Sequence, residues 1–196
     1  MRTSFSKKIV SAALLMSLVF GSAVASADQP IDPDNGSTVD VVGTASATTI
    51  VVTMPTVLSF AINPNNVKPF TSVPATVVNS TYAPVDLQIL GITSASGTDT
   101  KVVDAASHTD QEWSALGRSA TTSQIALGLE SVSGTPITVW SPAEIEGVTP
   151  SVSAGTFPLE PNSSEEIQVV AKHGNAWDVA KTLNYKLYVR VALTEG

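Results

Sequence analysis

The sequence predicts an all-β protein: an antiparallel β-sandwich, jelly-roll or Ig-like, with eight or more strands and one short helix. Three observations carry this expectation. Short β-branched runs alternate with Pro, Gly, Asn and Ser clusters from Thr48 onward. The last run places an apolar residue at every second position, from Leu183 through Tyr185, Leu187, Val189 and Val191 to Leu193; that period belongs to a strand and would scatter around a helix. No heptad run and no repeat of about 20 to 50 residues is present.

In chain order, Ile50, Val52 and Met54 alternate with Thr49, Val51 and Thr53. After a bend or edge at Pro55, a second run puts Leu58, Phe60 and Ile62 on one face. Asn63-Pro64-Asn65-Asn66 is a turn, and Lys68 to Pro74 reads as an extended loop. Ala75–Asn79 and Val85–Ile92 read as a hairpin closed through Ser80 to Ala83. A polar loop over Ser94–Thr100 leads to a short strand at Lys101–Asp104. Asp110–Gly117 then reads as one or two helical turns, capped by Thr109 or Asp110 and ended by Gly117. Ile125–Leu129 and Ile137–Trp140 form a second hairpin around Ser133-Gly134-Thr135, and Phe157, Leu159, Ile167 and Val169 supply the inward faces that follow.

Residues 1–27 read as a secretory signal peptide: Arg2, Lys7 and Lys8 precede an apolar run from Ile9 to Phe20, which ends in Ala25-Ser26-Ala27. The run is about 12 residues, against roughly 20 for a membrane-spanning helix, so no transmembrane segment is expected in the mature chain. Residues 28–47 are rich in Asp, Pro, Gly, Ser and Thr and read as a flexible arm with a short strand; residues 48–196 form the sandwich domain. Leu193 lies three residues from the last position, so no anchor is expected at that end.

Removal of the leader takes three of the ten basic side chains and none of the 17 acidic ones. Such an acidic chain lacks the basic surface that phosphate backbones require, so nucleic acid is not expected as a partner. The absence of cysteine excludes disulfides, thiolate metal sites and cysteine nucleophiles.

Chemistry-bearing clusters are sparse. His108, Asp110 and Glu112 alternate, yet the only other histidine is His173, and the simpler reading is a polar loop entering a helix whose first turn favours acidic residues. Asp32-Pro33-Asp34-Asn35-Gly36 with Asp40 is dense in oxygen ligands for Ca²⁺, but its glycine and acidic spacing departs from the EF-hand, and a solvated turn is favoured. His173 lies beside a turn glycine with no nucleophile motif in the chain, so no catalytic residue is expected. Trp113, Trp140, Trp177 and Tyr82 fall near loops or strand ends, where aromatics either plug a sandwich core or stack on sugar rings.

Two segments carry a resemblance. Ala75-Thr76-Val77-Val78-Asn79-Ser80-Thr81 followed by Pro84-Val85-Asp86-Leu87, and Phe157-x-Leu159-x-Pro161-x-Ser163 followed by Ile167-x-Val169, are similar to strand pairs of secreted bacterial Ig-like and jelly-roll surface proteins. With the leader and the cysteine-free β texture, the chain resembles the camelysin-like biofilm-matrix fibre subunits of Gram-positive bacteria. The resemblance implies a jelly roll whose subunits polymerise when the N-terminal segment of one completes the sheet of the next, with the chain itself, or other cell-surface and matrix components, as partner. It places the donor between about Ile31 and Ala47, where Val39, Val41 and Ala45 fall on one face of an extended chain, as alternate insertion needs. The expectation is therefore a secreted, non-catalytic structural subunit; the rival reading is a polysaccharide-binding module acting through the four aromatics.

Overall fold

The computed structural model describes residues 45–195. Among them run strands β1 (Val52–Thr53), β2 (Phe60–Ile62), β3 (Phe70–Ser72), β4 (Ala75–Asn79), β5 (Val85–Ser94) and β6 (Lys101–Val102). A 3₁₀ turn (Ala105–Ser107) and helices α1 (Asp110–Ser114) and α2 (Arg118–Ser123) lead to β7 (Gln124–Ser131), β8 (Thr138–Trp140), β9 (Gly155–Leu159), β10 (Ser163–Lys172) and β11 (Tyr185–Leu193).

The strands form an all-β sandwich. One sheet runs β1-β4-β10-β7, with β8 and β6 sharing the far edge of β7; the other runs β11-β5-β9. The β2–β3 ribbon lies beside β10, where the Val169 N–H donates to Ser72 Oγ at 3.0 Å. Among the described strands all pairings are antiparallel except β6 with β7, which is parallel because the 3₁₀ turn and the two helices between them bring the chain back in the same direction.

The core is what the alternating pattern requires. Val77, Ile125, Leu127, Leu129, Ile167 and Val169 point inward from one sheet, and Val85, Leu87, Ile89, Ile92, Phe157 and Leu159 from the other. Each such side chain contributes about 1.5–3 kcal/mol when fully buried. β7 is buried on both faces, since Ala126 on its outer side lies in a second cluster under Trp113, with Trp140 packed against it.

Several expectations need correction. Among the described residues there is not one short helix but two, plus the 3₁₀ turn. Thr109 caps α1 through a capping box with Glu112, whereas Gly117 begins α2. α2 has no apolar periodicity to announce it, because Arg118–Ser123 is mostly Ser and Thr. The Lys68–Pro74 loop contains β3. Ala75–Asn79 and Val85–Ile92 are not a hairpin: β4 and β5 belong to different sheets, and Ser80–Pro84 is the corner between layers. The β7–β8 hairpin is present as expected.

Asn79 shapes that corner. Its carboxamide nitrogen lies within hydrogen-bond distance of the carbonyls of Ala83 (3.2 Å), Leu159 (3.2 Å) and Glu160 (2.8 Å), and its Oδ1 accepts from the Thr81 N–H. Thr81 Oγ1 accepts from the Val51 N–H, and the Thr81 carbonyl accepts from the Asn162 N–H. The segments that carried the family resemblance thus meet at one buried polar knot, every member of which has a partner.

In β5, the pairing with β11 shifts register between Tyr188 and Val189, leaving Leu90 as the extra residue. The adjoining Gly91 has φ +156°, and Pro150 packs so closely that a Cβ there would lie 3.1 Å from its Cγ.

Candidate functional site

Chemistry-bearing side chains are spread among separate structural tasks. Asp110 pairs with Lys172 at 2.8 Å, and Glu112 caps its own helix. The carboxyl of Glu112 is held below the ordinary glutamate value by hydrogen bonds from the Thr109 N–H and hydroxyl. His108 sits edge-on to Trp113, with Nε2 3.0 Å from Gln124 Nε2. Among the described residues, no three His, Asp or Glu side chains are grouped to hold a metal ion. The Asp32–Asp40 stretch lies outside the described residues.

His173 is buried, and its Nδ1 donates to the Gly174 carbonyl at 2.8 Å, which fixes the proton on that nitrogen. The same carbonyl accepts from Trp177 Nε1 at 2.9 Å. Gly174 is packed so tightly on Thr121 and Leu116 that no Cβ fits.

The four aromatics do not share a platform. Trp113 is 2% exposed and donates its indole N–H to the Ala105 carbonyl, so it plugs the second core. Trp140 packs against that cluster, with the Lys172 ammonium 5.7 Å from its ring centroid. Tyr82 stands 90% exposed on the β4–β5 corner. Half-buried Trp177 lines a cavity of about 580 Å³ with Phe60, Pro64, Asn65 and Lys181.

A buried carboxylate escaped the sequence reading. Glu144, on the loop after β8, accepts from the Ser94 N–H and, at 2.6 Å, from the Ser94 hydroxyl, and lies 3.3 Å from Lys101 Nζ. Burial pushes its carboxyl up, but the Ser94 hydrogen bonds and the Lys101 ammonium outweigh that and leave it below the ordinary glutamate value. Burial, with Glu144 nearby, pushes the Tyr185 hydroxyl well above the usual phenol range. Nothing in local sequence marks Glu144, because its partners lie on β5 and β6.

An opening onto the core lies beside β11. β11 pairs with β5 on one side only, and among the described strands its other edge has no partner. The hydrogen bonds from the Ala95 N–H to the Asn184 carbonyl and from the Thr194 N–H to the Pro84 carbonyl fix which β11 residues face β5. By antiparallel alternation, Tyr185, Leu187, Val189, Val191 and Leu193 turn their backbone N–H and C=O toward the free edge.

Leu187 and Val189 also turn their side chains into a groove of about 640 Å³. Its floor is Ile92, Leu127, Leu129 and Val169, and its opposite wall is Met54–Leu58. One row of residues therefore offers both main-chain hydrogen bonds and apolar contact to an extended chain. Of the donor residues read from the sequence, Val39 and Val41 lie outside the described residues, and Ala45 is exposed without a strand partner.

No helix among the described residues is long and apolar enough to cross a membrane. No family model, no curated protein and no solved structure matches the chain.

Proposed function

We propose that this protein is a secreted, non-catalytic structural subunit that assembles by β-strand addition into an extracellular fibre or surface layer. The observation that carries the proposal is the edge of β11 that no described strand pairs with, above an open apolar groove. A long unpaired edge is a template for another chain, and natural proteins normally cover or blunt it. An incoming strand gains main-chain hydrogen bonds along β11 while its alternate side chains enter the groove.

The proposed occupant is the N-terminal arm of a second copy. Residues 28–44 precede the described part, and an extended chain of that length reaches about 55 Å, enough to leave its own domain and lie along a neighbour's β11. Val39, Val41 and Ala45 supply small apolar side chains on one face of that extended chain.

The test is light scattering after size-exclusion chromatography, with negative-stain microscopy, on residues 28–196 and on a chain lacking 28–47. Fibres or a size ladder from the first, and a folded monomer from the second, are expected. A strict monomer from residues 28–196 overturns the proposal.

One observation favours a second reading, a polysaccharide-binding module: the cavity beside Trp177 joins an indole wall to polar groups of Asn65, Lys181 and Thr182. Retention on insoluble glycan that is lost in a folded Trp177→Ala chain supports it, and no retention on any polymer removes it.

A further inference from the structure

We propose that Met54–Ser59 is a two-position gate of the β11 groove, held off the sheet in the isolated subunit and zipped onto β4 when a strand of a second copy enters. This inference rests on the strand-addition reading and concerns how the groove is controlled.

The register of two separate ladders points to it. β1 pairs with β4 as Val52 with Asn79 and Thr53 with Val78, and β2 pairs with β3 as Phe60 with Ser72 and Ile62 with Phe70. Extended toward each other, the two ladders differ in register by a single residue. The two ladders lie in separate sheets yet are one bulge's worth of extra chain from a shared register, and the six residues between them have the length to pair with the strand opposite.

Pro55 on one strand and Pro74 on the other account for the interruption. The Ser80 N–H donates to the Val51 carbonyl at 2.8 Å, which marks Val51 and Ser80 as a hydrogen-bonded pair. Alternation makes Thr53 with Val78, and then residue 55 with Thr76, the next such pairs. Proline has no N–H to give Thr76, so the ladder stops there. It resumes only where the Val73 N–H donates to the Ser59 carbonyl at 3.3 Å.

The interrupted segment is also a wall of the groove. Met54 and Leu58 stand across it from Leu187 and Val189, while Val57 is 75% exposed. The facing wall is fixed, because β11 is paired with β5 along its whole length. A strand seated over Leu127, Leu129 and Val169 therefore gains further room on the side of Met54–Ser59. The place open to that segment is beside β4, where by the same alternation the Thr76 N–H faces the gap.

Amide hydrogen exchange on residues 28–196, as monomer and after assembly, tests this, together with a Pro55→Thr chain. The Thr76 amide reports the zipped position, because it faces β1 rather than the groove. Assembly is expected to slow its exchange, and Pro55→Thr to slow it already in the monomer and to assemble several-fold faster. Unchanged Thr76 exchange on assembly overturns the gate, as does a Pro55→Thr chain that is zipped yet assembles at the parental rate. If Pro55→Thr does not fold, the comparison within the parent chain decides alone. Assembly by neither chain overturns the strand-addition reading and the gate with it, whereas assembly without any Thr76 response overturns the gate alone.

Discussion

Asn79 donates to the carbonyl of Glu160 at 2.8 Å, from the end of a strand in one sheet to the turn that leaves the other. The two residues are far apart in sequence, and the same carboxamide also serves Leu159, Ala83 and Thr81. Replacing Asn79 by Ala takes the acceptor from the buried Thr81 N–H and a donor from the Leu159 and Ala83 carbonyls, at about 1–3 kcal/mol for each buried group left unpaired, whereas the Glu160 carbonyl keeps the Ser163 hydroxyl at 2.7 Å. We expect a loss of about 3 kcal/mol or more in urea unfolding of residues 28–196. Asn79→Asp should be no better, since a carboxylate cannot donate to carbonyls.

Glu144 gives stability a pH dependence of definite sign. Its folded carboxyl lies below its unfolded value, so the unfolded chain binds more protons in the acidic range. The stabilisation is complete above the ordinary glutamate value, about 4.3, and is lost as pH falls through the lowered folded value. Denaturant midpoints measured across that range should fall less steeply in Glu144→Gln than in the parent. Lys101 is half-exposed, and Lys101→Met should cost less than about 1 kcal/mol. Most of the effect therefore belongs to the Ser94 hydrogen bonds.

These residues also show what the sequence could disclose. Alternation made β11, β7 and the inward faces of β9 and β10 legible, because the two-residue period is local and survives without a partner. The β4–β5 corner reads as a hairpin in sequence because the turn chemistry of Ser80–Pro84 is the same whether the next strand pairs beside its predecessor or crosses to the other layer. Nothing short of the carbonyls of Leu159 and Glu160 distinguishes the two. Trp113 and Trp177 looked equivalent in sequence, yet one is core and the other lines a cavity, a difference set by what α1 covers. The groove is illegible for a related reason: the pattern marks Leu187 and Val189 as inward, but their half-burial depends on which strands pair with β11, and local sequence does not carry that.

Gly174 joins His173 and Trp177 through its carbonyl and presses on Thr121. Gly174→Ala should displace α2 and cost about 1–3 kcal/mol, the usual range for overpacking. It should also blue- or red-shift the emission of Trp177 as its ring loses a fixed acceptor. Thr121 is fully buried and its hydroxyl donates to the Leu116 carbonyl, so Thr121→Ala in the Gly174→Ala background should recover part of the melting temperature. No recovery would place the strain at Leu116 instead.

Val189 separates the fold of the subunit from its assembly. Its backbone faces the free edge of β11 and its side chain faces the groove, so Val189→Pro removes one outward N–H while Tyr188 and Arg190 keep their bonds to β5. Proline is tolerated on an edge strand for that reason, and its size is close to that of valine. We expect a folded monomer by circular dichroism and size exclusion that no longer accepts a strand on β11 but can still donate its own arm. Mixed with the parent chain, it should therefore shorten fibres in proportion to its fraction, capping one end only. Equal fibre lengths with and without the variant would show that the growing edge lies elsewhere on the subunit.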